Sequence, residues 1–186
     1  MKRLTPDLGG VAVQLVALVL MMLWSETVAA QTPSSDDFNA PVLDPIWTFI
    51  DPLGDSGFQL VGSGSDDAQL LLTVPPGVAH EPSVPNQTAR VMQSVSDVDF
   101  EVEVKFESGL SGKQQRQGLL IEEDADTYLR FDFFSKNAIL RIGAFRTDGA
   151  SATEYIKLDI TQGGTLYLRV LQVDGGAAWS SPFFFE

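Results

Sequence analysis

Apolar and polar side chains alternate strictly from Phe100 to Phe106. Phe100, Val102, Val104 and Phe106 share one parity; Glu101, Glu103 and Lys105 share the other. Successive side chains of a strand point to opposite faces of its sheet, so this pattern predicts a half-buried strand over Asp97–Phe106. After the polar loop ESGLSGKQQR comes QGLLIEE, a short apolar run without alternation, which predicts a more deeply buried strand. The turn DADT follows, and YLRFDFF alternates again, with Leu129, Phe131 and Phe133 expected to face in and Arg130 and Asp132 out. Three strands joined by short polar connections form an antiparallel meander, and its seven inward residues, Phe100 to Phe106 and Leu129 to Phe133, are expected in one core.

The same reading extends to both sides. Upstream, Phe38, Trp47, Phe49, Phe58 and Leu60 are isolated apolar anchors between turn residues. Leu70, Leu72 and Val74 alternate with Gln69, Leu71 and Thr73 up to Pro75-Pro76-Gly77. Val78 to Gln87 reads as a loop with two prolines, and Thr88 to Val95 as a strand. Downstream, Ala138–Arg146, Glu154–Ile160 and Leu166–Val170 alternate, separated by turns at Asp148-Gly149 and Gly163-Gly164. The chain then ends AAWSSPFFFE, and three consecutive phenylalanines make sense as part of a buried strand or as the residue of a truncated reading frame. No helical period is sustained beyond the first 30 residues, so the expected class is all-β, as a sandwich or barrel.

The N-terminus changes the picture of where this domain works. Lys2 and Arg3 precede an apolar run from Val11 to Trp24, and Val28-Ala29-Ala30 supplies small residues for cleavage. This is the pattern of a secretory signal peptide over residues 1–30, the run being shorter than the roughly 20 residues that span a bilayer. Residues 31–35 read as a polar linker and 36–186 as the domain, with secretion to the extracellular space or periplasm and no membrane attachment after cleavage. The chain has 186 residues, enough for one domain with a real core, and a net charge of −13. Removing the leader takes away two charges of each sign, Lys2, Arg3, Asp7 and Glu26, and leaves that balance unchanged. An acidic surface argues against nucleic acid and anionic lipid as partners. The absence of cysteine excludes disulfides and thiolate metal sites.

DDFNAPVLDPIWTFIDPLGD, RVMQ, DFEVEVKF, QGLLIEEDADTYLRFDF and LYLRV, in that order, resemble bacterial secreted concanavalin A-like domains. These are similar to the C-terminal domain of β-xylosidase-type glycoside hydrolases, the enolase-regulation-like family. The resemblance runs from Asp36 to Trp179. It implies a jelly-roll β-sandwich of two antiparallel sheets, used as a module beside other domains of larger extracellular proteins. It also implies closing strands beyond Trp179, so the domain is expected to lack its last strands.

Glycanases of that superfamily carry E-x-D-x-x-E on one strand. Here Glu122-Glu123-Asp124-Ala125-Asp126-Thr127 offers E-x-D and then threonine in place of the second glutamate. A retaining mechanism needs two carboxyl groups about 5 Å apart, and acids entering a turn diverge. Glu101 and Glu103 share a strand face about 6.6 Å apart along the backbone, with Lys105 beside them, as an ordinary polar face would. No catalytic residue is assigned. Asp36, Asp37, Asp51, Asp55, Asp66 and Asp67 lie in Gly- and Ser-rich loops that could hold a structural calcium, without EF-hand spacing. His80, Arg90, Gln93 and Gln117 match polar positions that recur in the resembling family, and they could donate hydrogen bonds to sugar hydroxyls. Trp47 and Trp179 could stack on sugar rings; core packing is the competing role. If they share a ligand, His80, Arg90 and Gln117 are expected on one side of one sheet. The expected function is a non-catalytic carbohydrate-binding or accessory module for a polysaccharide or glycan. The alternatives are a structural or adhesive protein–protein module that packs on neighbouring domains, and a glycoside hydrolase with unrecognised acids.

Overall fold

The computed structural model describes residues 31–96, 98–160, 165–172 and 180–185. The expected leader and Trp179 lie outside them. The regular elements are strands: β1 (Thr48–Ile50), β2 (Gly57–Val61), β3 (Gln69–Thr73), β4 (Arg90–Met92), β5 (Phe100–Phe106), β6 (Arg116–Asp124), β7 (Thr127–Lys136), β8 (Ile139–Asp148), β9 (Ser151–Ile160), β10 (Leu166–Gln172) and β11 (Ser180–Phe185). Among the described residues there is no helix, and hence none long and apolar enough to cross a membrane.

Seven strands lie side by side in the order β1-β4-β11-β6-β7-β8-β9, and β10-β5 and β2-β3 form two smaller pairs. Every pairing is antiparallel. The meander expected from alternation is present in part: β6 and β7 pair through a tight turn, while β5 leaves that sheet and pairs with β10. The C-terminal phenylalanine run belongs to β11, whose backbone pairs with β6 along six residues and meets β4 at Phe183↔Arg90.

β5 and β10 lie against one face of the large sheet, here called the inner face. Phe106, Leu119, Phe133 and Leu168 are buried together, and Val102, Val104, Phe131 and Ile142 pack on them. Phe100 and Ile121 form a second cluster on the same face. The Phe106 and Phe133 rings meet edge to face, centroids 5.7 Å apart and planes at 77°, a geometry favoured by the ring quadrupoles. At the far end, Phe49 of β1 meets Phe58 of β2 at 5.1 Å. The result is a sandwich-like packing of antiparallel layers.

The outer face is covered too. Val74, Leu120 and Tyr128 are buried together, with Val84 and Met92 against them. Gln117 to Ile121 are therefore buried on both faces, which is why QGLLI shows no alternation. One inward and one outward assignment need qualification. Leu129 has the inward parity of Phe131 and Phe133 but keeps 37% of its surface exposed, because it lies near the start of β7. Arg130 and Asp132 do point away from the inner core, but they are buried rather than solvated: Arg130 lies against the Pro82 carbonyl, and Asp132 is held by Arg130 and Arg116.

Candidate functional site

A groove of about 480 Å³ opens between β3 and β5. Its lining includes the successive residues Gln69, Leu70 and Leu71 of β3 and Glu101 to Lys105 of β5. A strand seen face-on contributes every second residue; consecutive residues mean that the strand edges form the walls. Among the described residues β3 pairs only with β2 and β5 only with β10, so the facing edges are open. Val102 and Val104 reach from the core into the groove and are only half-buried, although Phe100 and Phe106 at the two ends of the same strand are buried.

The N-terminal segment closes one end of the groove. Ser34 N–H donates to Gln93 Oε1 at 2.9 Å and Gln93 Nε2 donates back to the Ser34 carbonyl at 3.1 Å. Gln31 N–H donates to Ser96 Oγ at 2.8 Å. Residues expected to be a free linker are thus tied to the strand region beyond β4. Trp47 stands on this end wall, its Nε1 donating to Asp36 Oδ2 at 2.8 Å and its ring 5.6 Å from Phe38. Seven acidic side chains line the groove, against one lysine. That lysine, Lys105, is in contact with Glu107, whose hydrogen bond pushes the amine's pKa up.

Two of the five residues singled out from sequence, Trp47 and Gln93, meet at this groove. The others lie elsewhere. His80 is buried, its Nε2 2.9 Å from Asp55 Oδ1 and its Nδ1 3.2 Å from the Val78 carbonyl. Arg90 is buried on the outer face, 3.5 Å from Glu122. Gln117, one residue out of phase with Gly118 and Leu120, faces inward, and its Nε2 donates to the Ser108 carbonyl at 2.9 Å. The expectation that His80, Arg90 and Gln117 share one side of one sheet is therefore corrected: the pleat puts Arg90 and Gln117 on opposite faces. Most of these polar groups hold loops in place. The hydrogen bond from His80 keeps the Asp55 carboxyl below its ordinary pKa. A depressed carboxylate contributes stability above its unfolded pKa that is lost as pH falls through the folded one. In His80→Phe the Asp55 titration followed by carbon NMR is expected to move to higher pH; an unmoved midpoint would show that His80 does not set it.

Several of the loop carboxylates named as possible calcium ligands are engaged locally. Asp36 and Asp37 accept backbone N–H groups two residues on, and Asp51 accepts from Gly54 and Ser56. No group of three or more His, Asp or Glu poised for a metal occurs among the described residues. Around the acidic turn, Glu122 pairs with Arg90 and Asp124 accepts the Asp126 N–H.

Sequence reading missed a buried charged cluster on the outer face. Asp132 is fully buried, and its Oδ2 accepts from Arg130 Nε at 2.8 Å and Arg116 Nη1 at 3.2 Å. Burial pushes the Asp132 carboxyl up and the two arginines oppose that. Arg130 also donates to the Pro82 carbonyl at 2.6 Å, where the Tyr128 hydroxyl donates at 2.8 Å. The guanidinium groups lie over rings, Arg130 4.8 Å from Phe145 and Arg116 5.1 Å from Phe134. Asp132 sits in register between Gly118 and Gly143. A Cβ on Gly118 would stand 2.2 Å from the Phe131 carbonyl oxygen, and one on Gly143 would stand 2.6 Å from the Phe145 ring. The glycines on either side of Asp132, two strands apart, are the one sequence signal that a side chain had to lie flat here. Comparison of the chain with protein-family models and with curated proteins finds no match.

Proposed function

We propose that this chain is a secreted, non-catalytic accessory module of the concanavalin A-like jelly-roll type, which holds another polypeptide in the groove between β3 and β5. The observation that carries this reading is the pair of open strand edges walling the groove, since backbone edges recognise backbone. The glycan reading keeps one specific support, the Trp47 ring at the end wall, hydrogen-bonded to Asp36. His80, Arg90 and Gln117 lend it none, being committed to internal partners.

Chemical-shift mapping on residues 31–186 tests the choice, with oligolysine and a neutral cello-oligosaccharide as probes. A polypeptide site is expected to shift the amides of Gln69–Leu71 and Glu101–Lys105 with oligolysine alone. Shifts centred on the Trp47 indole with the oligosaccharide alone would favour the glycan instead.

A further inference from the structure

We infer that the groove takes one extended strand of a partner protein, paired by its backbone to β3 on one side and β5 on the other, with alternating apolar and basic side chains. The inference rests on the reading of this groove as a polypeptide site and goes further by fixing the conformation and sequence pattern of the occupant. The backbone argument comes first. An edge strand presents a row of N–H and C=O groups directed sideways. Here two such rows face each other across one cavity, and an inserted strand would join the two small pairs into one continuous layer over the inner face.

The side-chain pattern follows from the pleat. Val102 and Val104 point toward the core and are only half-buried, so residues of the occupant on that side must be apolar to finish their burial. Glu101, Glu103 and Lys105 point the other way, to solvent. Asp66 and Asp67 flank the β3 side. The outward residues of the occupant therefore meet carboxylates from both walls, and a cross-strand pair of opposite charge is favourable where a like pair is not. Glu101 is paired with Arg169 and Lys105 with Glu107, whereas Glu103 stands across from Arg169 in register and feels its charge without forming an ion pair with it, and we take Glu103 as the carboxylate that reads the charge of the occupant.

The test uses residues 31–186 and three acetylated octapeptides: alternating Lys-Val, alternating Glu-Val, and Lys-Val with every second amide N-methylated. Fluorescence anisotropy gives affinity and amide hydrogen exchange gives location. Lys-Val is expected to bind at least tenfold more tightly than Glu-Val, to weaken with salt, and to protect amides in 69–71 and 101–105. Glu103→Lys is expected to reverse the charge preference; because it places a lysine opposite Arg169, Glu103→Gln is measured beside it and is expected to narrow the preference with thermal unfolding nearly unchanged. Equal binding of the methylated peptide would overturn strand pairing while leaving the groove a polypeptide site. Displacement of every peptide by cello-oligosaccharide would overturn the polypeptide reading itself. Dimerisation at rising protein concentration that Glu103→Lys abolishes would assign the groove to a second copy of the chain and overturn the inference. Failure of all three peptides to bind would overturn it as well.

Discussion

Replacing Asp132 with alanine is expected to cost the fold about 3–5 kcal/mol, the range for removing one partner of a buried ion pair. The carboxylate is fully buried and is shared by Arg130 and Arg116. Arg130 is itself buried, so without Asp132 its charge stays in the interior with the Pro82 carbonyl and the Phe145 ring as its neighbours. The loss is therefore that of an uncompensated charge, larger than the worth of the hydrogen bonds alone. Removing the charges together gives the contrasting result: Arg130→Met with Asp132→Leu is expected to recover most of the loss, because the desolvation of both groups disappears at once. Urea unfolding of the two variants measures both. A loss below about 1 kcal/mol in Asp132→Ala, the scale of an exposed pair, would mean that the cluster is hydrated and contributes little.

Phe106→Ala is expected to cost a similar amount, about 3–5 kcal/mol. Its ring is 1% exposed and packs on Phe133, Leu119 and Leu168, at the point where the two layers meet. Truncation removes the transfer energy of the ring and leaves a cavity that strands fixed by their ladders cannot close. Leu129→Ala supplies the control. Leu129 has the same inward parity but is partly solvated, and its loss is expected to stay within about 1 kcal/mol. Equal losses at the two positions would mean that the inner face is covered along the whole of β7, contrary to the packing described.

These two variants also mark how far the sequence could be read. Alternation placed β5, β7 and β8 correctly and identified which parity faces in, because a half-buried strand must show that period. It could not report what lies on the second face. The segment after β3 has no period, so nothing in its order showed that Pro82 and Val84 pack against Tyr128, Arg130 and Leu120. The short strands β1 and β2 were legible only as apolar anchors, since three to five residues between turns hold too little pattern. The groove was the least accessible of all. Its walls come from residues about 30 positions apart, and its end wall depends on Gln93 holding Ser34, a contact between distant segments that no local motif encodes.

The flat row across β6, β7 and β8 has a consequence for how this sequence can drift through descent. Gly143 is covered by the Phe145 ring, that ring lies 6.1 Å from Phe134, and the two rings support the guanidinium groups that Asp132 holds. A side chain introduced at position 143 displaces the Phe145 ring, and with it the surface on which Arg130 rests. Positions 134, 143 and 145 therefore behave as one heritable unit: a larger residue at the glycine becomes tolerable only in a lineage that has already made an aromatic neighbour smaller.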